Sequence, residues 1–336
     1  NDSPNYPVLD VDASVGDLAM ANNASIALNG FTLNLSGSLD DIDNAAQINA
    51  SSSGSELYLS ALIPQVILSD FLNPEVANLT VENGFGVTLN SEIRITEVLN
   101  IKQGTLTTND NLTLACSFSP RQTAQIDELG GSISGLVTVE QCYTPRRSFR
   151  LVSPSTTTTS SINANWQEGV NNTGLNYPSA NFNPNPGYGT HITGSISGND
   201  GFDATATGNP SLFSFDEVTQ SWNSLNNTDS NTLTAGNPLR LLIRGDRSIN
   251  LNSNSAAPTS TKLRSNGTIV KGPVSPDLSS LDSNVKFALL GNPFHAVVDM
   301  DMVLSESVDL KQHFVVWDPN LGGISTPGQP GGRGAY

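Results

Sequence analysis

A chain of 336 residues and 35.4 kDa is longer than one compact domain usually needs. Its apolar residues make up 37% and arrive in short regular bursts, which excludes a disordered polar tract, while only 14% charged and 6% aromatic residues leave Asn, Ser, Thr and Gly to cover the surface, as suits strands and tight turns. A net charge of −16 argues against nucleic acid as a partner, because phosphate contacts need Lys and Arg.

The charge is uneven along the chain. Residues 1–120 carry Arg94 and Lys102 against 14 carboxylates, a balance of −12, and the rest carry 13 basic against 17 acidic, a balance of −4. Two modules are expected, a repeat region over 1–128 and a second domain over 129–336. With neither an initiator Met nor a leader in view, the sequence reads as a processed or excised soluble segment. The most apolar stretch, "LSALIPQVIL" (59–68), is interrupted by Pro64 and too short to span a bilayer, so no membrane insertion is expected.

In chain order, "SIALNGFTLNLSG" (25–37) predicts two strands around Asn29-Gly30, and "ELYLSALIPQVIL" (56–68) two more around Pro64. Residues 78–117 are clearer. The triplets Leu79-Thr80-Val81, Val87-Thr88-Leu89 and Ile93-Arg94-Ile95 return as Val98 to Ile101, Thr105 to Thr107 and Leu112 to Leu114. An apolar spacing of two excludes helix, and an offset of about 19–20 residues fits one coil of a parallel β-solenoid with three short strands per turn. Gly and Asn sit where the corners fall. An antiparallel hairpin stack would read similarly over a single coil.

Beyond "LGGSISG" (129–135) the strands lengthen. "LVTVEQCYTPRRSFRLVSP" (136–154) predicts a strand pair, 171–194 a Pro- and Asn-rich loop, and further strands fall within 211–225, 238–251, 261–270, 285–294 and 313–319. Asn-Gly, Gly-Asp and Gly-Asn turns between them predict an antiparallel β-sandwich, with Trp166, Trp222 and Trp317 in its core. The fold class expected is therefore all-β, a short parallel solenoid followed by an antiparallel sandwich.

The segments "ISGLVTVEQCYTPRRSFRLVSP", "GYGTHITG", "NPSLFSFDEVTQSW", "LTAGNPLRLLIRGDRSINL", "FALLGNPF" and "VVWDPNLGG…GRGAY", in that order, resemble a module of large secreted cell-surface proteins of the Bacteroidetes, exported by the type IX route. There the module follows β-helix-like repeats similar to "NLTVENGFGVTLNSEIRITEVLNIKQGTLTT". The resemblance spans roughly residues 75–336. It implies an extracellular, cell-surface location and no particular activity. The cysteine pair and the ending at Tyr336 depart from that pattern, which usually continues into a sorting domain.

Each candidate site has a plain structural counterpart. Cys116 and Cys142 read as one disulfide in a secreted chain and as two buried thiols in a cytosolic one; the extracellular setting implied by the resemblance favours the bond, clipping the last solenoid coil to the first sandwich strands. Asp10, Asp12 and Asp17, and Asp40, Asp41 and Asp43, are close enough in sequence to supply oxygens to calcium. Neither group fits an EF-hand loop, and solvated carboxylates are the simpler reading; no other cofactor is expected. Tyr177, Phe182 and Tyr188 among many Asn residues have the composition of a glycan-binding loop, or of a loop packed on its own aromatics. Arg244-Gly245-Asp246 matches an adhesion tripeptide but also a turn between strands.

Catalysis finds little support. The solenoid portion has no His and two basic residues, His191, His295 and His313 are scattered, and no Gly-x-Ser-x-Gly elbow occurs. A polysaccharide-degrading β-helix enzyme would rest on fold analogy alone. The reading is a secreted structural or adhesive protein without catalytic residues, a segment of an extracellular fibre or surface attachment, with a glycan-binding module as the alternative. Solenoid ends offer strand edges, so Tyr6 and Val8 near one terminus and Ala335 and Tyr336 at the other are expected to serve self-assembly.

Overall fold

The structure is a computed structural model that describes residues 6–21, 23–39, 41–42, 46–68, 72–179, 181–275, 287–307 and 313. It is nearly all β, with 39% strand and 4% helix, and contains a solenoid of about five turns. The chain divides into two compact units, Asn1–Glu140 with Asn266–Gly272, and Gln141–Ser265 with Pro273–Tyr336.

The first unit winds through three faces. Strands Ser25–Ala27, Gln47–Ala50, the early part of Leu72–Glu82, the start of Ile93–Gln103, Leu112–Leu114 and Val137–Tyr143 stack on the first. Strands Ala13–Val15, Thr32–Leu35, Glu56–Leu59, the later part of Leu72–Glu82, the later part of Ile93–Gln103 and Gln125–Ile126 stack on the second. Gln65–Ile67, Val87–Leu89, Thr105–Thr107 and Ser132–Ser134 form the third. All these pairings are parallel, which excludes the hairpin stack. The offset read from the sequence is the observed register: Leu79 lies opposite Leu99, Val87 opposite Leu106, and Ile93 opposite Leu112.

Period two sends alternate side chains inward, so like residues pile up in columns. Leu33, Leu57, Leu79 and Leu99 form one, and Leu35, Leu59, Val81 and Ile101 the next, all buried. Each such side chain is worth about 1.5–3 kcal/mol relative to exposure. The outward columns are polar and bond along the stack: Ser60 donates to Asn34 at 2.7 Å, and Asn34 to Ser14 at 3.2 Å.

One corner shows why its residue types recur. Buried Asn83 donates from Nδ2 to the Ile63 carbonyl (2.9 Å) and to Gln65 Oε1 (3.0 Å), and its Oδ1 accepts the Phe85 amide (2.9 Å). The next coil passes directly against it at Gly104, whose φ is +82° and whose Cβ, if it had one, would run into the Asn83 carbonyl. Only glycine combines that backbone angle with that approach.

The last coil is longer than the rest. Leu99 pairs with Ile126, 27 residues on, because strands Cys116–Phe118 and Arg121–Thr123 form an antiparallel hairpin inserted ahead of it. Next to this insertion Arg94 donates to the fully buried Glu140 at 2.9 Å, and Glu140 accepts the Cys116 amide at 3.2 Å. Residues 266–272 return to the same end, where Asn266 donates to Thr138 at 3.0 Å and Lys271 to the Gly131 carbonyl.

The second unit contains a four-stranded antiparallel sheet in the order Ser148–Val152, Leu239–Ile243, Leu212–Asp216, Ser221–Ser224. Leu212, Leu239, Leu241 and Ile243 pack with Ile192, Phe202 and Trp166 as its core. Trp166 closes the short helix Ile162–Trp166, whose N-cap Ser161 accepts the Ala164 amide at 3.1 Å. Elsewhere on this sheet Arg240 lies over Phe149, Phe213 and Trp222, at 4.8, 4.6 and 4.3 Å from the ring centres. Trp317 lies outside the described residues.

Three local expectations are corrected. Val137–Tyr143 and Ser148–Val152 do not form a pair with each other: Val137 and Val139 extend the column of Leu112 and Leu114, and Ser148–Val152 pairs with Leu239–Ile243. The expected second strand directly after Ile243 is absent, because residues 244–250 turn inward, as described below. Residues 287–294 are irregular rather than a strand; the rest of that stretch, and 313–319 apart from His313, lie outside the described residues. No described helix is long and apolar enough to cross a membrane.

Candidate functional site

The adhesion-like tripeptide sits in the second unit, and two of its neighbours decide its role. Asp246 is buried, and it accepts hydrogen bonds from the amide of Gly187 (2.9 Å), the amide of Ser248 (3.2 Å) and the hydroxyl of Thr259 (2.8 Å). Burial alone would raise its pKa; the hydrogen bonds from Ser248, Gly187 and Thr259 more than offset this and hold it below the ordinary carboxylate value. Gly245 has a φ of +149° and passes so close to Thr259 that a side chain would collide with it. A carboxylate engaged in this way is not displayed to a partner.

Arg247, the residue after the tripeptide, goes deeper. It is fully buried and makes a two-pronged contact with Asp203, Nη1 to Oδ2 at 3.0 Å and Nη2 to Oδ1 at 2.9 Å. Its Nε donates to the Phe182 carbonyl (2.7 Å), and Asn181 donates to the Arg247 carbonyl. His191 completes the group. Nδ1 lies 3.1 Å from Asp203 Oδ2, and Nε2 faces the Arg247 carbonyl at 3.0 Å. Asp203 also accepts the amides of Asn172 (2.8 Å) and Ile192 (3.1 Å). Burial would push its carboxyl up, but His191 and Arg247 hold it below the usual range. The sequence showed His191 as isolated; its carboxylate partner lies 12 residues on and its arginine 56, so only the fold brings them together.

This cluster pins the loop that carries the aromatic candidates. Tyr177 donates its hydroxyl to the Ser248 carbonyl. Tyr188 is covered by cations, with Arg264 4.3 Å and Lys262 5.5 Å from its ring centre. Phe182 alone of the three is an exposed large apolar side chain, at 51%. The three are thus not one stacking platform.

On the solenoid's second face, a hollow of about 710 Å³ is lined by Asp12, Glu56, Tyr58 and Glu82, with Thr32 and Asn34 between them. Its carboxylates are engaged: Asp12 accepts the Thr32 amide at 2.9 Å, Glu56 accepts Thr32 (3.1 Å) and Thr80 (2.6 Å), and Glu82 accepts the Tyr58 hydroxyl. Lys102 lies 4.9 Å from the Tyr58 ring centre. Of the calcium candidates, Asp12 and Asp17 each secure a backbone amide of the following coil, Thr32 and Ser38 respectively, and Asp10 is exposed in the bend before the first strand. Asp41 contributes backbone to Asp41–Ile42, paired with Ala19–Met20, while its side chain and the whole of Asp40 and Asp43 lie outside the described residues. Among the described residues, no group of three or more His, Cys, Asp or Glu could hold a metal ion.

Both cysteines are disulfide-bonded, and with only two in the chain the bond is Cys116–Cys142. Tyr6 and Val8 lie on the first coil, at 48% and 59% exposure, where Val8 bridges in parallel to Ala27; Ala335 and Tyr336 lie outside the described residues. Comparison with known proteins gave no matching family model, no matching curated protein and no matching solved structure.

Proposed function

We propose that this chain is a secreted, surface-displayed structural protein without chemistry of its own, a segment of an extracellular fibre or sheath that grows by stacking solenoid on solenoid. The observation that carries this reading is the first coil. Among the described residues Val8, Ala13–Val15 and Ala19–Met20 pair on one side only, with Ala27, Thr32–Leu35 and Asp41–Ile42. Their other edge presents free backbone donors and acceptors beside the exposed Tyr6, Val8 and Val11. A second copy of the chain is the occupant that continues the same parallel ladder. The disulfide supports an oxidising compartment, in line with the resemblance to exported surface proteins.

The test is association measured by analytical ultracentrifugation and negative-stain electron microscopy over a concentration series. Filaments or a concentration-dependent mass are expected, and Val8→Lys with Val11→Lys, both at exposed positions, should return monomers with an unchanged circular-dichroism spectrum. A monodisperse monomer at every concentration sinks the reading. A glycan-binding module is the second reading, and the exposure of Phe182 favours it. A glycan-array signal lost in Phe182→Ala would support it, and a signal that survives would not.

A further inference from the structure

We propose that the second unit holds a binding site for a uronic-acid-type saccharide, in which Arg147 and Arg244 receive the carboxylate and neighbouring amides and hydroxyls receive the sugar ring. The two arginines are placed by the register of the sheet. Ser148 pairs antiparallel with Ile243, so the next positions outward, Arg147 and Arg244, stand directly opposite each other. Like charges facing across an antiparallel pair are destabilising unless something negative lies between them. Among the described residues neither arginine has a carboxylate within ion-pair distance, and two acids of the same unit are committed elsewhere, Asp246 to Gly187, Ser248 and Thr259, and Asp203 to Arg247.

Both guanidinium groups line a cleft of about 460 Å³. Arg147 is braced by Asn254, donating from Nη1 to its carbonyl at 2.8 Å, which fixes the group rather than neutralising it. Its Nε, and Nη1 of Arg244, are buried without a hydrogen-bond partner. Burial, and then the charge of Arg147, bring the Arg244 pKa down to about 10, still far above neutrality, so both groups remain cationic. Two facing, half-buried arginines without a carboxylate partner repel each other in the free protein, and an oxyanion between them relieves that repulsion. The remaining walls are neutral and rich in hydrogen-bonding groups, with Thr205, Thr207, Asn209 and Asn252 around the arginines and no carboxylate. That combination matches a polyhydroxylated ligand bearing one carboxylate better than a bare ion, which has no use for the hydroxyls and amides.

The proposal is independent of fibre growth and is tested on the full chain by isothermal titration calorimetry, with trigalacturonate, a neutral galactose trisaccharide and sodium sulfate as separate ligands at matched ionic strength. Trigalacturonate is expected to bind at one site per chain, more weakly as salt rises, and the other two ligands at least tenfold more weakly, roughly one charge-assisted contact's worth. Arg147→Met and Arg244→Met should each reduce uronate affinity by roughly tenfold or more, while the fold is retained because each change removes a repulsion. Thr207→Val should weaken the uronate without altering any response to sulfate. No heat with trigalacturonate, equal affinity for the neutral sugar, binding unchanged in the two arginine variants, or sulfate binding as tightly as the uronate would each overturn the assignment.

Discussion

Replacing Asp203 by Asn removes one charge and keeps the shape, and the surroundings set its cost. Asp203 receives both prongs of Arg247 (3.0 and 2.9 Å), stands 3.1 Å from His191, and accepts two backbone amides. Arg247 is fully buried, so losing the carboxylate leaves a cation with no route to water. Breaking a buried pair from one side costs about 3–5 kcal/mol, a large share of the roughly 5–15 kcal/mol that holds a typical domain together. Urea unfolding followed by tryptophan fluorescence is the assay, because Trp166 and Trp222 lie in the second unit and residues 1–140 carry no tryptophan. The double change Asp203→Asn with Arg247→Met should be far milder than the sum of the single changes, with a coupling of about 1–3 kcal/mol. A loss below about 1 kcal/mol for Asp203→Asn, or strict additivity, would refute the claim that this pair locks the inward-turned segment. The same carboxylate makes stability depend on pH. Its folded pKa lies below the ordinary value, so its contribution is complete above about pH 4 and disappears as the pH falls through the folded value. Asp203→Asn should flatten that acid-side decline.

Further outcomes follow from other parts of the molecule. Gly104→Ala meets both a positive φ and the Asn83 carbonyl, and should lower the solenoid's unfolding midpoint by more than the ~1 kcal/mol of an ordinary glycine change; no shift in hydrogen-exchange protection over residues 79–107 would count against the corner. Leu79→Ala, in the middle of an inward column, should cost about 2–5 kcal/mol in the same measurement. Cys116→Ser with Cys142→Ser removes a closed loop of 26 residues, worth about 3 kcal/mol on the chain-entropy model; alkylation of the unfolded, unreduced protein should label no thiol, and two labels would disprove the bond. Soluble Arg-Gly-Asp peptide should not compete with any cell attachment to the immobilised protein, since Asp246 is already spoken for; competition would mean that this segment opens.

Much of the first unit was legible in one dimension. Alternating apolar residues, Gly or Asn between bursts, and a constant offset are local properties, and a parallel solenoid turns them directly into structure because each coil needs only its neighbours. Leu79, Val87 and Ile93 could be matched to Leu99, Leu106 and Leu112 for that reason. The inserted hairpin before Gln125 broke the offset, so the last coil was harder to see, and Val137–Tyr143 read as the start of the next domain although its first residues extend the same column.

The second unit was different in kind. That it would contain antiparallel strands followed from turn residues and alternation, but which strand met which depended on long-range pairing. "LIRGDRSINL" has the local look of strand, turn, strand, and nothing adjacent in sequence reveals that Asp203 and His191 wait for Arg247, or that Arg147 stands across from Arg244. Residue pattern alone settled the backbone ladders, because their rule repeats every two residues and every coil. Tertiary structure alone settled where the charges go, because a buried ion is placed by partners that the chain delivers from dozens of residues away.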